Sequence, residues 1–241
     1  MRPREPTAWA AETDGTRISG AASAALSFAY VSGVPRYVGR ENVRKHLALL
    51  AGAPGRTVYA GGTVRIDATD KTITVRPAFG LAHEAEYETV ELEPLFAALA
   101  ADHVVAALLF RIGGYAVGVF DGERLIASKV GSRFVKGRHK KGGSSSGRFS
   151  RRREEQARAL IDQAADTAVH VLAPHRDRAE YAALGGDRTA VDRVLAARHE
   201  LGWLAERALP RFFDVPEPRQ RVLERLPYEL YAAELVTLPR R

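Results

Sequence analysis

The spacing of apolar residues changes several times along this chain, and each change marks an element. ENVRKHLALLA (41–51) has helical spacing and predicts a short helix ended by Gly52 and Pro54. TVYAGGTVRID (57–67) and KTITVRP (71–77) predict two strands joined by a turn at Ala68-Thr69-Asp70. ELEPLFAALAA (91–101) reads as a helix with Leu95 and Leu99 turned inward. From 103 the pattern becomes HVVAALLFRIGG, a nearly continuous apolar run of the kind a strand needs when both faces are covered. Gly113-Gly114 breaks it, YAVGVFDG follows, and Asp121-Gly122 signals a hairpin before ERLIASKVGSRFV. These three segments predict an antiparallel meander.

A polar loop at 136–147 comes next, and then the longest predicted helix. Its apolar face is Leu160, Ile161, Ala164, Ala165, Ala168, Val169 and Leu172, and Pro174 ends it. Arg151–Glu155 and Glu154–Arg158 are expected to pair across its other side. EYAALGGD (180–187) predicts a short buried strand running into a Gly-Gly turn. Asp187 and Thr189 are the expected caps of the helix TAVDRVLAARHELG. RFFDVPEPRQRVLERLPYELYAAEL reads as a strand followed by a helix. The order from 103 onward is β-β-β-loop-α-β-α-β-α. It predicts a mixed α/β fold, a ribonuclease H-like mixed sheet flanked by helices, with a smaller N-terminal α+β unit. The expected division is 1–97 for the N-terminal unit and 98–241 for the second domain. Trp9 and Trp203 stand in no motif and are read as packing residues.

An apolar fraction of 46% over 241 residues permits a packed core, and the absence of Cys excludes disulfides and Cys-ligated zinc. The seven His are scattered. The longest apolar run, Val104–Phe110, is far short of the ~20 residues that span a bilayer. The opening MRPREPTAWAAETDG lacks the apolar stretch of a signal peptide. The expectation is a cytoplasmic protein without a membrane partner, assumed monomeric, with no cofactor or metal.

Charge alters this picture. Residues 124–153 hold eleven Lys/Arg and no acid, so the chain's net +7 less this +11 leaves −4 elsewhere. One concentrated cationic site on a mildly acidic protein suits a polyanion such as ribosomal RNA. The segment KGRHKKGGSSSGRFSRRREEQ (136–156) could be a flexible linker, but it joins a core strand to a core helix rather than two domains. It fails as a nucleotide-binding loop. Gly137 to Gly142 have the right spacing, but Gly143 stands where GxxxxGK[ST] needs its Lys. A two-metal nuclease needs converging carboxylates. Asp102, Asp121 and Glu123 lie near strands, and Asp121 is better explained by its turn. Arginines at Arg148, Arg151, Arg152 and Arg153 open a helix at its positive end, an arrangement that favours a docked anion.

GGSSSGRFSRRREEQ resembles the catalytic loop and following helix in the middle domain of archaeal and eukaryotic class 1 release factors, where a GGQ run precedes the helix. Gly142 and Gly143 match the glycines, and Arg148-Phe149, Arg151, Arg153 and Glu154 match the helix start. Within that superfamily, over about residues 98–241, the chain is similar to the VLRF (Vms-like release factor) family, bacterial branch. Membership would imply a peptidyl-tRNA hydrolase acting on stalled large ribosomal subunits, without stop-codon recognition. The chain departs from the pattern in having Ser144 and Ser145 where a Gln stands in those relatives. The nearest Gln, Gln156, is on the helix and read as solvent-facing.

The resemblance implies catalytic positions Gly142, Gly143, Ser144 and Ser145. It implies RNA-binding positions Lys136, Arg138, His139, Lys140, Lys141, Arg148, Arg151 and Arg152. Hydrolysis of the ester to tRNA needs an admitted water and a donor to the developing oxyanion, and a main-chain N–H after two glycines can be that donor. Ser146 suits a helix cap and Phe149 a staple into the core. The expected partners are large-subunit rRNA and peptidyl-tRNA. A non-catalytic ribosome- or RNA-binding factor that has lost the Gln is the alternative.

Overall fold

In the computed structural model, residues 34–132 and 146–240 are described, with side chains of the second stretch from 151 onward. The chain begins with strand β1 (Arg36–Gly39) and helix α1 (Arg40–Ala48). Strands β2 (Pro54–Ala60), β3 (Thr63–Ala68), β4 (Lys71–Arg76) and β5 (Ala85–Thr89) follow, then helix α2 (Glu93–Ala100). The single strand expected over 57–67 is a hairpin. Gly61 and Gly62 take φ of 57° and 71°, the left-handed pair that a two-residue turn requires, and they fold the segment back on itself. One face of the resulting sheet buries Tyr59, Val64, Ile66, Ile73 and Val75 against Val43, Leu47, Leu95 and Leu99 of the two helices.

The meander follows as expected: β6 (Val104–Arg111), β7 (Gly114–Asp121) and β8 (Arg124–Ser132). Helix α3 (Ser146–Leu172) then crosses the sheet, and β9 (Tyr181–Gly186) pairs with β6 in parallel. The sheet order is β8-β7-β6-β9. Val105 to Phe110 of β6 are buried without interruption because both faces are covered. Ala106, Leu108 and Phe110 meet Leu160, Ala164 and Ala168 of α3 and Val191 and Val194 of α4 (Arg188–Ala197). Val105, Ala107 and Leu109 meet the opposite layer, Leu223, Leu226 and Leu230 of α6 (Gln220–Leu230), beyond the short α5 (Gly202–Glu206). Trp203 of α5 is buried, in line with its reading as a packing residue. The mixed α/β class holds.

Two details depart from expectation. The strand expected within 211–219 is reduced to one isolated parallel bridge, Gly185↔Phe213, and a second, Ala182↔Ala208, lies just before it. Pro210, Pro216 and Pro218 lack the N–H groups a longer ladder would use. After α6 the chain forms a further strand, β10 (Ala232–Pro239), which inserts between β1 and β4. The first sheet is therefore six-stranded, β1-β10-β4-β3-β2-β5. The expected boundary at 97/98 falls inside α2, and no cut there separates the two sheets, because β10 returns to the first sheet.

The return is anchored at one end of the second sheet. Arg40 donates to Asp102 Oδ1 at 2.9 Å and to Glu123 Oε1 at 2.8 Å, and its guanidinium lies 4.2 Å from the Tyr231 ring centroid. Tyr231 in turn accepts from the His103 N–H, and Phe79 packs against His103, Tyr181 and Tyr231. His103 Nδ1 lies 2.8 Å from Glu180 Oε2, while Glu180 Oε1 accepts from the Val104 N–H. Partial burial pulls the Glu180 carboxyl up, but these hydrogen bonds and the His103 charge outweigh it and hold it below the usual carboxylate range.

Gly186 has φ of 101°, and a Cβ there would run into the Phe110 carbonyl. Gly186→Ala should therefore cost at least ~3 kcal/mol in urea unfolding, whereas Gly202→Ala, with open space around it in a helix, should be neutral or stabilising. Glu180 has a depressed folded-state pKa, so its stabilisation is present above the ordinary carboxylate range and lost as pH falls through the folded value. Glu180→Gln should lower the urea midpoint at about pH 7 and flatten its fall between about pH 5 and pH 3.

Candidate functional site

Every chain reversal around the loop 133–145 occurs at one edge of the second sheet. Strand β8 ends at Ser132, opposite Gly114, and Gly114 faces Arg111 across the β6–β7 hairpin. Strand β9 reaches the same edge at Gly186, beside Phe110. The Asp187 N–H donates to the Phe110 carbonyl, and the Asp187 side chain caps α4 by accepting from the Ala190 N–H at 3.0 Å. Of the two expected caps, Asp187 fills the role. Helix α6 also starts here, with the Pro218 carbonyl close to Gly114. The N-termini of α3, α4 and α6 thus face one edge, each with a partial positive charge of roughly half a unit. The joint with the first sheet is at the opposite edge, where Val104 and Tyr181 lie.

Helix length decides what projects. Strands β6 to β8 have eight or nine residues, roughly 27–30 Å, while α3 has 27 residues and is roughly 40 Å long. Its first fully buried residue past the loop is Leu160, and the buried face runs on to Leu172. The N-terminal third therefore stands past the sheet. Arg151 and Arg152 on it are exposed and form no ion pair among the described residues, so the expected Arg151–Glu155 contact is absent. Gln156 is half-buried rather than fully solvent-facing. Further along, Asp162 and Asp166 are engaged by Arg198, whose hydrogen bond to Asp166 raises its pKa. Arg151 and Arg152 thus carry exposed positive charge near the start of α3, with Glu154 and Glu155 shortly after them.

The base of the loop is rigidly held. Gly131 lies under the Tyr115 ring, where any Cβ would collide with it. The Tyr115 hydroxyl lies 2.9 Å from Thr167 Oγ1 of α3, so the last turn of β8, the middle strand and the helix are tied together. Arg111 Nη2 donates to Asp214 Oδ1 at 2.6 Å and pins the hairpin to the segment before α6. The sequence reading missed this frame. Its only local sign is a glycine in an otherwise β-favouring run, VGS.

Lys136, Arg138, His139, Lys140, Lys141, Gly142, Gly143, Ser144 and Ser145 lie outside the described residues. Arg148 falls in the first turns of α3, and Arg151 and Arg152 are placed as given above. Of the acids near strands, Asp102 and Glu123 are both bound to Arg40 at the far edge. Among the described residues no group of three or more His, Cys, Asp or Glu could hold a metal ion. No helix among them is long and apolar enough to cross a membrane.

The sequence profile of the Actinobacteria/chloroflexi VLRF1 release factor family (acVLRF1) matches residues 103–236, more than half of the chain. The chain belongs to that family. The match starts just before β6 and ends within β10, so it includes the loop and α3 and leaves β1–β5 outside. The resemblance to VLRF release factors is thereby established. Among solved structures, the chain is similar to an archaeal protein at 11% identity and a TM-score of 0.37, covering 79% of this chain and 70% of that one. It is similar to the archaeal translation termination factor aRF1 at 13% identity and a TM-score of 0.39, covering 80% of this chain and 55% of that one. For S. cerevisiae Dom34, a translation termination-like factor, the values are 8%, 0.28, 78% and 61%. No curated protein sequence matches.

Proposed function

We propose that this release factor family member is a peptidyl-tRNA hydrolase that frees nascent chains from stalled large ribosomal subunits in the cytoplasm, without reading a stop codon. The observation that carries the reading is the extension of α3 past the sheet, with Arg151 and Arg152 exposed near its start and Asp162 and Asp166 engaged by Arg198 further along. Such a shape suits insertion into a narrow, phosphate-lined channel. Arg148, Arg151 and Arg152, with Lys136, Arg138, His139, Lys140 and Lys141 of the loop, hold rRNA and the tRNA acceptor end through phosphates. The positive ends of three helices add to the same field.

At the tip, Gly142 and Gly143 allow the main chain to approach the ester closely. The Ser144 N–H donates to the developing oxyanion, and the Ser144 and Ser145 hydroxyls orient water in place of the Gln of related factors. The ester is already activated, so donor placement and one ordered water are the chain's contribution. The absence of Gln favours a second reading, a ribosome-binding factor without catalysis.

Purified protein incubated with large subunits carrying nascent-chain–tRNA should release the chain, and Gly143→Ala should slow release by at least ~100-fold, because it misplaces the adjacent Ser144 N–H. Binding without release by the wild type would establish the second reading instead. Separately, RNA affinity should fall steeply with salt. The Arg151→Ala/Arg152→Ala variant should weaken binding and reduce the slope of log affinity against log salt by about 2.

A further inference from the structure

Two clefts stand out among the described residues. The larger, about 650 Å³, lies between the first sheet and the segment before α6, and its cations are engaged. Arg76 lies 3.6 Å from Glu234, and Arg211 donates to Glu229 while lying against Tyr37. The smaller, about 210 Å³, lies at the loop-bearing edge. Its floor is apolar: Phe110, Leu160 and Ile161. One wall is Ile112, which stands 64% exposed at the tip of the β6–β7 hairpin. Asp187, Thr189 and Arg193 form its polar rim. Asp187 Oδ1 accepts from the Ala190 N–H, but Oδ2 has no hydrogen bond among the described residues. The Thr189 hydroxyl and the Arg193 guanidinium are exposed and also lack partners there.

We propose that this cleft receives one unstacked RNA base, of a type carrying an exocyclic amino group. The inference rests on the reading of the adjoining helix as an RNA contact. A volume below the ~300 Å³ at which drug-sized pockets begin suits a single ring system rather than a whole nucleotide. Apolar walls take the faces of the ring. The rim then offers a carboxylate acceptor beside hydroxyl and guanidinium donors. That set complements the edge of adenine, cytosine or guanine, each of which presents an amino donor beside a ring or carbonyl acceptor. Uracil has no exocyclic amino group and offers Asp187 only its single N3–H, flanked by two carbonyls. An aliphatic side chain from a protein partner would fill the floor but leave Asp187 Oδ2, the Thr189 hydroxyl and the Arg193 guanidinium without a partner from it. Ala157 also lines the cleft, and Arg151 and Arg152 lie six and five residues before it on the same helix, about one and a half turns away. A strand held by its phosphates on the overhang therefore has a base slot within reach.

Short single-stranded RNAs carrying 2-aminopurine test this, one with the probe at its 3′ end and one with it at an internal position. The expected result is a change in probe emission on saturation with protein. Thr189→Val/Arg193→Ala, both exposed positions, should abolish that change and weaken binding roughly tenfold. Uracil in place of the probe should weaken binding comparably. Arg151→Ala/Arg152→Ala should weaken binding yet leave the emission change intact at saturation. A response only at the 3′ end assigns the slot to a tRNA acceptor terminus, and one only at the internal position assigns it to rRNA. RNA that binds with full salt dependence but shows no emission change at either position, or an unaltered change in the rim variant, overturns the slot and leaves the proposed function standing. Failure to bind RNA at all would remove both.

Discussion

Strand β6 is buried on both faces from Val105 to Phe110, and the working end of the molecule depends on that constraint. A strand with no solvent face must have helices above and below it and strands on both sides. It takes β7 antiparallel on one side and β9 parallel on the other. The parallel partner forces a long crossover, and α3 is that crossover. Once α3 has to run from one end of the sheet to the other and its sequence continues helical past the sheet, its N-terminal part extends beyond the strands, with Arg151 and Arg152 exposed. The overhang follows from an ordinary packing requirement combined with surplus helix length.

The two edges of the second sheet have opposite characters. At one edge, Arg40, Asp102, Glu123, His103 and Glu180 neutralise one another in a network backed by Phe79, Tyr181 and Tyr231. Charges that pair this closely carry little net field, and the edge serves as the seat of the first sheet. At the other edge, three helix N-termini and exposed arginines add rather than cancel. The separation of about 27 Å between the edges exceeds the screening length of ~8 Å at physiological salt, so each acts without the other. The six-stranded sheet is thus fixed at the end of the second sheet farthest from the loop.

In the proposed chemistry the fold supplies placement rather than a reactive side chain. Tyr115 over Gly131, joined to Thr167, fixes where β8 releases the chain. The start of α3 fixes where the chain is taken up again. Between these fixed points the proposed chemistry asks only the four small residues Gly142, Gly143, Ser144 and Ser145 to present their backbone to the ester.

The sequence by itself carried the elements whose signal is local. The unbroken apolar run of β6, the Asp121-Gly122 turn, the face of α3 from Leu160 to Leu172 and the cap at Asp187 were all legible, because each depends on neighbours within a few positions. The cationic segment and its likeness to release factors were legible too, since charge and short motifs need no contacts to be counted. The Gly61-Gly62 turn was read through as strand, because glycine can stand in either and only its backbone angles decide. Strand β10 could not be assigned. Its partners β1 and β4 lie more than 150 residues away, and register between such distant segments is set by the packed sheet. The cleft under Ile112, the Tyr115–Thr167 tie and the shared direction of three helix N-termini were likewise decided by the tertiary structure. Each joins residues from separate elements, and only the sheet order brings those elements to one edge.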